Sequence, residues 1–372
     1  MRDLRDLIAS FERVRSRGEV AALATVMRVV GSAYRRPGAR MLLAADGTRV
    51  GLVSGGCLEA DLSERARPVL DTGRAVTVTY DARTDEDLIF GLGLGCNGTV
   101  EVLIERVPEH RGGGHLALID RCLAERRELA LVTVFRAAGR VPLAARCWLL
   151  EGEPLAGDLA SESVAVEIGR HADAVLQSGR HRNVTIESAD GPLDLLVESV
   201  RPYPQLWILG AGPDAQPVAR LAVELGFDVN VADHRAAFAR AENFPGATRV
   251  VLCEPEHFVE TFELDDGSIV LVMSHSYAND RAYLRALLQR PLAYLGLLGP
   301  RQRSERILGE LAKEGIEPSP EQRARLHAPV GLDIGAETPE EIAVSILSEI
   351  RAELTGRNGG RLRDRDVPIH GG

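Results

Sequence analysis

The sequence predicts an α/β protein with an N-terminal α+β domain that contains an internal duplication and a C-terminal Rossmann-like domain with a doubly wound parallel sheet. Three observations support this prediction. A glycine-rich fingerprint follows a short apolar segment near Gly210, and segments of the region 127–200 repeat segments of the region 20–105. Hydrophobic residues make up 45% of the chain but aromatic residues only 4%, an aliphatic composition typical of sheets covered by helices.

Composition also narrows the class of protein. The 372 residues are enough for two or three domains, and the net charge of −10 argues against binding to nucleic-acid phosphates. No window has the run of apolar residues that a membrane span needs. The five cysteines are scattered and form no C-x-x-C pair, which is typical of a reduced compartment. We therefore expect a cytoplasmic protein with neither a nucleic-acid nor a membrane partner.

Hydrophobic periodicity gives the order of elements in the N-terminal domain, which we place at residues 1–200. Leu4, Leu7 and Phe11 recur on one face of an amphipathic helix, and Asp46 with Gly47 is a strong hairpin signal. The predicted elements are a helix at 3–17, a strand at 20–30, hairpin strands at 41–45 and 48–53, a helix at 57–71 and a strand at 75–80.

The second half of this domain repeats the first. The segment 129–136 resembles 21–28, and Arg146 follows Arg40 by the same 106 residues that separate Gly179 from Gly73. Self-similarity at a fixed offset indicates repeated structural units. The sequence therefore predicts two copies of one fold, at about 20–105 and 127–200.

The duplication supplies an internal control for one loop. At the same offset, Ser163 and Ala165 stand where the first copy has Cys57 and Glu59. A fold that forms without these two side chains in the second copy does not require them in the first. We therefore expect Cys57 and Glu59 to have a chemical function and not to be required by the fold.

Two glycine-rich loops carry the candidate cysteines. In the first loop, Gly55 and Gly56 allow positive φ and the close approach of a ligand. The helix predicted at 57–71 places Cys57 at its N-terminus, where the helix dipole favours a thiolate. The alternative is an ordinary strand-to-helix turn with a small buried cysteine. The second loop, at 91–98, contains Gly95, Cys96 and Asn97.

Three arginines close to the first loop form a candidate anion cradle. They are Arg35, Arg36 and Arg40. Solvation at the surface is the alternative for Arg35 and Arg36. Arg40 has a counterpart in Arg146 of the second copy, which favours a structural role for it.

The C-terminal domain is predicted at 206–354, after a proline-rich linker, and 355–372 is predicted to be a mobile tail. Apolar strands alternate with helices, as in βαβ units. Thr338 and Glu341 form a capping box that opens the last helix. The predicted strands are 206–209, 229–232, 250–253, 268–273 and 293–298.

The candidate ligand residues of this domain follow the ends of its strands. Gly210 and Gly212 belong to a dinucleotide fingerprint, and Asp233, 21 residues after Gly212, is placed to bind a ribose hydroxyl. Arg235 is placed to meet a phosphate instead. His275 is a candidate acid, base or ligand, with capping of the next helix as its alternative. Arg301, like its neighbour Arg303, is placed to bind an anion.

These stretches together resemble the XdhC/CoxI family, the accessory proteins of xanthine dehydrogenase and related molybdenum hydroxylases. Asn97 is a departure, because relatives often carry glycine there. The segments that carry the resemblance are 31–38, 54–59, 93–98, 209–214, 274–276, 294–299 and 327–335.

The resemblance implies a chaperone that binds and protects the molybdenum cofactor. Family members support its sulfuration with a cysteine desulfurase, hand it to a xanthine dehydrogenase-type apo-enzyme, and are typically homodimers. The resemblance makes Cys57 and Cys96 candidate molybdenum contacts. It implies no catalytic residue.

The Rossmann-like domain leaves a second hypothesis open. It can hold NAD(P), or another nucleotide such as the nucleotide part of the cofactor. The alternative function is an NAD(P)-dependent oxidoreductase with His275 as its acid or base.

Overall fold

The computed structural model describes residues 2–31, 33–81, 98–107, 114–160 and 162–366. The chain divides into two compact units, Met1–Pro202 and Tyr203–Gly372. Within the described residues, no helix is both long and apolar enough to cross a membrane.

The first unit contains two five-stranded antiparallel sheets and four helices in its described part. The helices are α1 (Arg2–Ser16), α2 (Glu59–Thr72), α3 (Gly114–Ala124) and α4 (Ala165–Ser178). The strands of the first sheet are β1 (Ala21–Gly31), β2 (Arg40–Ala44), β3 (Arg49–Gly51), β4 (Val76–Asp81) and β5 (Gly98–Val107). Those of the second are β6 (Leu129–Ala137), β7 (Arg146–Leu150), β8 (Ala156–Gly157), β9 (Arg182–Ser188) and β10 (Gly191–Val200).

The two sheets have the same topology. Their strand orders are β3-β2-β1-β5-β4 and β8-β7-β6-β10-β9, so each strand of one sheet has a counterpart at the same place in the other. Helix α2 packs on the first sheet and α4 on the second, each through an apolar stripe. This shared arrangement supports the duplication predicted from the 106-residue offset.

Each sheet also has a β-bulge at the equivalent place. The pairing of β1 with β5 shifts register at Met27, and the pairing of β6 with β10 shifts at Phe135. A bulge bends its strand and redirects a side chain. Both residues are fully buried and belong to one small apolar cluster with Leu103 and Leu196, which joins the two repeats.

Reciprocal ion pairs accompany this cluster. Arg40 of the first repeat binds Glu198 of the second at 2.8 Å, and Arg146 of the second repeat binds Glu105 of the first at 2.5 Å. All four side chains are buried. Arg40 therefore joins the two repeats, as its counterpart in the sequence suggested, and its guanidinium is not part of an open anion cradle.

The second unit is a doubly wound parallel sheet. Its strand order is β13-β12-β11-β14-β15-β16, the order of dinucleotide-binding folds. The strands are β11 (Gln205–Leu209), β12 (Asp228–Asp233), β13 (Arg249–Leu252), β14 (Ile269–Val272), β15 (Tyr294–Leu297) and β16 (Leu326–His327). The helices are α5 (Ala215–Glu224), α6 (Phe258–Thr261), α7 (Tyr277–Leu287), α8 (Arg301–Lys313), α9 (Pro320–Ala324) and α10 (Pro339–Leu354).

Helices cover both faces of this sheet. Helices α5 and α10 pack on one face, and α6, α7 and α8 pack on the other. The capping box predicted at the start of α10 is present, with the Thr338 hydroxyl accepting from the Glu341 N–H. The α/β fold class predicted from the sequence is confirmed.

Candidate functional site

The loop between β3 and α2 is organised around one buried carboxylate. Oε1 of Glu59 accepts hydrogen bonds from the N–H groups of Val53, at 3.3 Å, and Ser54, at 2.8 Å. Oε2 accepts from the Ser54 hydroxyl at 2.5 Å. Burial raises the pKa of Glu59, but these hydrogen bonds together hold it below its usual value. Only 5% of Glu59 is exposed, so its carboxylate supports the loop from within.

Ser54 extends this support to the glycines. Its Oγ accepts from the N–H groups of Gly56 and Leu58, both at 3.1 Å. Gly56 has φ +115°, a conformation that side-chain-bearing residues rarely adopt. Ser54 and Glu59 therefore fix the backbone on both sides of Cys57.

Cys57 lies outside helix α2. The helix was predicted from residue 57, but it begins at Glu59 with Leu58 as its N-cap residue. The Ser54 hydroxyl accepts a hydrogen bond from the Leu58 N–H. The predicted helix start at residue 57 is therefore wrong by two residues, and Cys57 lies immediately before the N-cap residue. Sγ of Cys57 lies 3.6 Å from Oγ of Ser54, and the side chain is half-buried against the core of the first sheet.

The second cysteine loop lies outside the described residues. Gly95, Cys96 and Asn97 belong to it. Their roles stay predictions.

A cavity of about 320 Å³ lies beside the first cysteine loop. Arg35 contributes to its wall but is occupied by the Leu52 carbonyl, at 3.2 Å, and by the Asp3 carboxylate. Tyr34 joins cavity and loop, because its ring lies 3.7 Å from the position of a Cβ on Gly55. The cavity is lined by Asp3, Leu4, Leu7, the segment 34–40 and His181.

In the second unit, the fingerprint loop packs tightly between strands. Gly210 has φ +116°, and a Cβ there would lie 2.4 Å from the Met273 carbonyl oxygen. The Ala211 N–H donates to Oδ2 of Asp233 at 2.7 Å. Gly210 is therefore required by the sheet itself, whatever the loop binds.

Asp233 is already occupied by its neighbours. Arg235 donates to both carboxylate oxygens, from Nε at 2.9 Å and from Nη2 at 2.8 Å, and only 1% of Asp233 is exposed. Burial raises the pKa of Asp233, but the Arg235 guanidinium and the loop N–H groups bring it below its usual value. Arg235 also stacks on Phe238, with 4.0 Å from its guanidinium carbon to the ring centre.

His275 and Asp214 meet at the carboxyl end of the parallel sheet. Nε2 of His275 lies 2.6 Å from Oδ2 of Asp214, between the loops that follow β14 and β11. Those two strands are the neighbours at which the strand order reverses, the place where open α/β sheets bind ligands. His275 has φ +56°, which is uncommon for a non-glycine residue.

The N-cap of helix α7 is Ser276 and not His275. The Ser276 side chain accepts from the Asn279 N–H, so the alternative in which His275 is the cap is wrong. Nearby, the buried Asp280 binds Ser274 and Arg303. Burial raises the pKa of Asp280 above its usual value. Arg301 is exposed at the first residue of α8.

The structure thus brings the predicted residues together in two groups, one in each unit. In the first unit, Gly55, Gly56, Cys57 and Glu59 share one loop, and Arg36 lines the cavity beside it. The second unit gathers Gly210, Gly212, Asp233, Arg235 and His275. Sequence reasoning missed Ser54, Asp214 and His181. Asp214 had a signal, because it stands inside the fingerprint, but an aspartate before a helix is ordinarily a cap, and no cap hydrogen bond is present here.

These features define a class of protein. The first unit is a duplicated α+β fold that carries a preorganised cysteine loop. The second unit is a Rossmann fold in which Asp214 and His275 lie where the strand order reverses. Family models match both units, as the XdhC and CoxI family over residues 14–81 and as the XdhC Rossmann domain over residues 206–350.

Relatives cover nearly the whole chain. The chain is 34% identical to a probable xanthine dehydrogenase subunit of Bacillus subtilis over 334 residues, which is 89% of this chain and 92% of the relative. A crystal structure described as a xanthine dehydrogenase from Bacillus halodurans is 31% identical, with a TM-score of 0.78, and covers 96% of this chain and 98% of its own. The molybdenum cofactor insertion chaperone PaoD of Escherichia coli is 24% identical over 90% of this chain and 83% of its own. The chain belongs to the XdhC/CoxI family.

Proposed function

We propose that this protein is a chaperone of the molybdenum cofactor. It binds and protects the cofactor, supports its sulfuration together with a cysteine desulfurase, and delivers it to a xanthine dehydrogenase-type apo-enzyme, acting as a homodimer. The relative PaoD carries the name of such a chaperone, and the Bacillus relatives carry the name of the enzyme that would receive the cofactor. The cofactor is cargo here, so the protein needs a site that holds it and then releases it.

The Cys57 loop is the observation that carries this proposal. Thiolates are soft ligands suited to molybdenum, and a half-buried thiol beside two glycines combines access with shielding. Ser54 and Glu59 hold the loop in place before a ligand arrives, which lowers the entropy cost of binding. We propose Cys57, with Cys96 of the second loop, as the molybdenum contacts.

The second repeat strengthens this assignment. Its turn before α4 has Ser163 and Ala165 at the equivalent positions, and α4 begins at Ala165 just as α2 begins at Glu59. The equivalent helix therefore begins at the same place without the thiol and without the carboxylate. The Cys57 loop therefore contains two side chains, those of Cys57 and Glu59, that the start of the helix does not require.

The alternative, an NAD(P)-dependent oxidoreductase, meets two obstacles in the second unit. Oδ1 of Asp214 lies 2.8 Å from the position of a Cβ on Gly212, so a carboxylate stands where a dinucleotide would bring its pyrophosphate. A ribose hydroxyl would have to displace Arg235 from Asp233. We propose that any nucleotide held here, including the nucleotide part of the cofactor, makes other contacts, with Arg301 and His275 as candidates.

Anaerobic binding of the molybdenum cofactor tests the proposal. The wild type, Cys57→Ala and Cys96→Ala are compared, with Cys253→Ala, a buried thiol of the second unit, as the matched control. We expect Cys57→Ala to bind at least about tenfold more weakly and Cys253→Ala to bind as the wild type does. Saturable NAD(H) binding without cofactor binding would favour the oxidoreductase.

A further inference from the structure

The cavity beside the Cys57 loop is built by both repeats. Arg36 and Gly38 line it from the first repeat, and His181 lines it from the second. The described lining of the cavity includes no residue of the Cys57 loop, so the cavity is a separate feature of the first unit.

Arg36 supplies the cavity with positive charge. Arg35 is paired with Asp3 and Arg40 with Glu198, so two of the three guanidinium groups are already neutralised. Arg36 is exposed, and the described part of the chain offers it no carboxylate partner. An exposed guanidinium that is not paired with a carboxylate can bind an oxyanion through two parallel hydrogen bonds.

His181 adds a hydrogen-bond donor at a defined atom. The Ser199 N–H donates to Nδ1 of His181 at 3.0 Å, so Nδ1 is the acceptor and the neutral ring carries its proton on Nε2. Nε2 lies 3.6 Å from the position of a Cβ on Gly38, in the wall of the cavity. The backbone of the second repeat thus fixes a donor in the cavity that Arg36 of the first repeat also lines.

The duplication again provides a control. At the 106-residue offset, Pro142 takes the place of Arg36 and Ala75 the place of His181. The backbone is nevertheless equivalent, because Gly38 and its counterpart Ala144 both have positive φ, +89° and +66°. The fold therefore forms this turn without either donor.

Tyr34 connects the cavity to the cysteine loop. Its ring packs on Gly55, yet 68% of the residue remains exposed. An exposed aromatic ring between a cationic pocket and the cysteine loop suits a ligand with an anionic end and a planar part.

We propose that this cavity binds the phosphate of an organic phosphate, with Arg36 and His181 as its contacts and Tyr34 against the planar part of the ligand. The identification of that ligand as the molybdenum cofactor, with its pterin ring and terminal phosphate, rests on the proposed function. The phosphate site itself rests on the cavity alone, and free nucleotides share its chemistry.

Calorimetric titration of the 372-residue chain with inorganic pyrophosphate tests the site. The variants are Arg36→Gln and His181→Ala, and the matched control is Arg67→Gln, an exposed arginine of helix α2 outside the cavity. We expect one saturable site that weakens at least about tenfold in both cavity variants and is unchanged in the control, as loss of a charge-assisted hydrogen bond predicts. Equal affinity in all four proteins, or no saturable binding by the wild type, would overturn the inference.

Parallel titrations with the molybdenum cofactor and with adenosine monophosphate separate this inference from the proposed function. If cofactor binding is lost by Cys57→Ala but not by Arg36→Gln or His181→Ala, the chaperone stands and the assignment of this cavity to the phosphate of the cofactor is wrong. If pyrophosphate and adenosine monophosphate bind with the expected sensitivity but the cofactor does not bind, the phosphate site stands and the proposed function is wrong. Thermal unfolding of each variant confirms that it is folded.

Discussion

Nη2 of Arg40 lies 2.8 Å from Oε2 of Glu198, across the boundary between the two repeats of the first unit. The contact of Arg146 with Glu105 repeats it in the opposite direction. Two copies of one fold therefore bind each other within a single chain as the subunits of a symmetric dimer do, through equivalent surfaces used reciprocally.

Removal of Arg40 should destabilise the first unit strongly. Arg40→Met leaves the Glu198 carboxylate buried without its partner, and we expect the free energy of unfolding to fall by about 3–5 kcal/mol. The matched control is Arg67→Met, whose ion pair with Glu64 is exposed and contributes less than about 1 kcal/mol. Urea denaturation measures both. Similar losses in the two variants would contradict the structural role of the buried pair.

Glu59 should make the stability of the first unit depend on pH. Its pKa is lower in the folded protein than usual, so its contribution is fully present above the ordinary carboxyl pKa of about 4.3 and is lost as pH falls through the folded value. We expect Glu59→Gln to cost about 1–3 kcal/mol at pH 7 and less at acid pH. Denaturation of both proteins from pH 7 downwards checks this. A constant difference across that range would contradict the role of the ionised carboxylate.

Gly210 should tolerate no side chain. In Gly210→Ala the new Cβ would meet the Met273 backbone, and the positive φ adds strain, so we expect a loss above about 3 kcal/mol in the second unit. Gly309→Ala is the matched control, because Gly309 lies within helix α8 with open space around it, and alanine there should stabilise by about 0.5–1 kcal/mol. Differential scanning calorimetry of the two variants measures both changes in stability. A stable Gly210→Ala protein would show that the loop can move away from β14.

The thiols should differ in reactivity. Burial raises the pKa of Cys147 to about 11, so at pH 8 only about one thiol in a thousand is ionised, and the side chain is also buried. Cys57 is half-buried at a loop. We expect iodoacetamide to label Cys57 while Cys122, Cys147 and Cys253 remain unmodified in the folded chain, as peptide mass spectrometry would show. Labelling of Cys147 at the rate of Cys57 would contradict the structure.

Much of the fold could be predicted because its signals are local. The alternation of strands and helices, the capping box at Thr338 and the fingerprint at Gly210 each depend on a few neighbouring residues. The duplication was visible because the two copies keep the same offset of 106 residues from Arg40 to Gly73. Cys122, Cys147 and Cys253 stand among apolar residues in the sequence, and all three are buried.

The site was less predictable because it depends on the contacts that side chains make with the backbone and with residues distant in the sequence. The sequence places Glu59 next to Cys57, but only the structure shows that its carboxylate binds the backbone of Val53 and Ser54. His181 joins the cavity from the other repeat, through a contact between distant segments that no local pattern encodes. The same holds for Asp214 and His275, which topology brings together at the sheet edge.

Delivery of the cofactor is the most direct test of the chaperone function. The chain, loaded anaerobically with molybdenum cofactor, is added to a cofactor-free enzyme of the xanthine dehydrogenase type, and oxidation of xanthine is followed. We predict activation beyond that given by the same amount of free cofactor, loss of this advantage in Cys57→Ala, and no xanthine oxidation by the chain alone. Xanthine turnover by the chain alone, or no gain over free cofactor, would contradict the account.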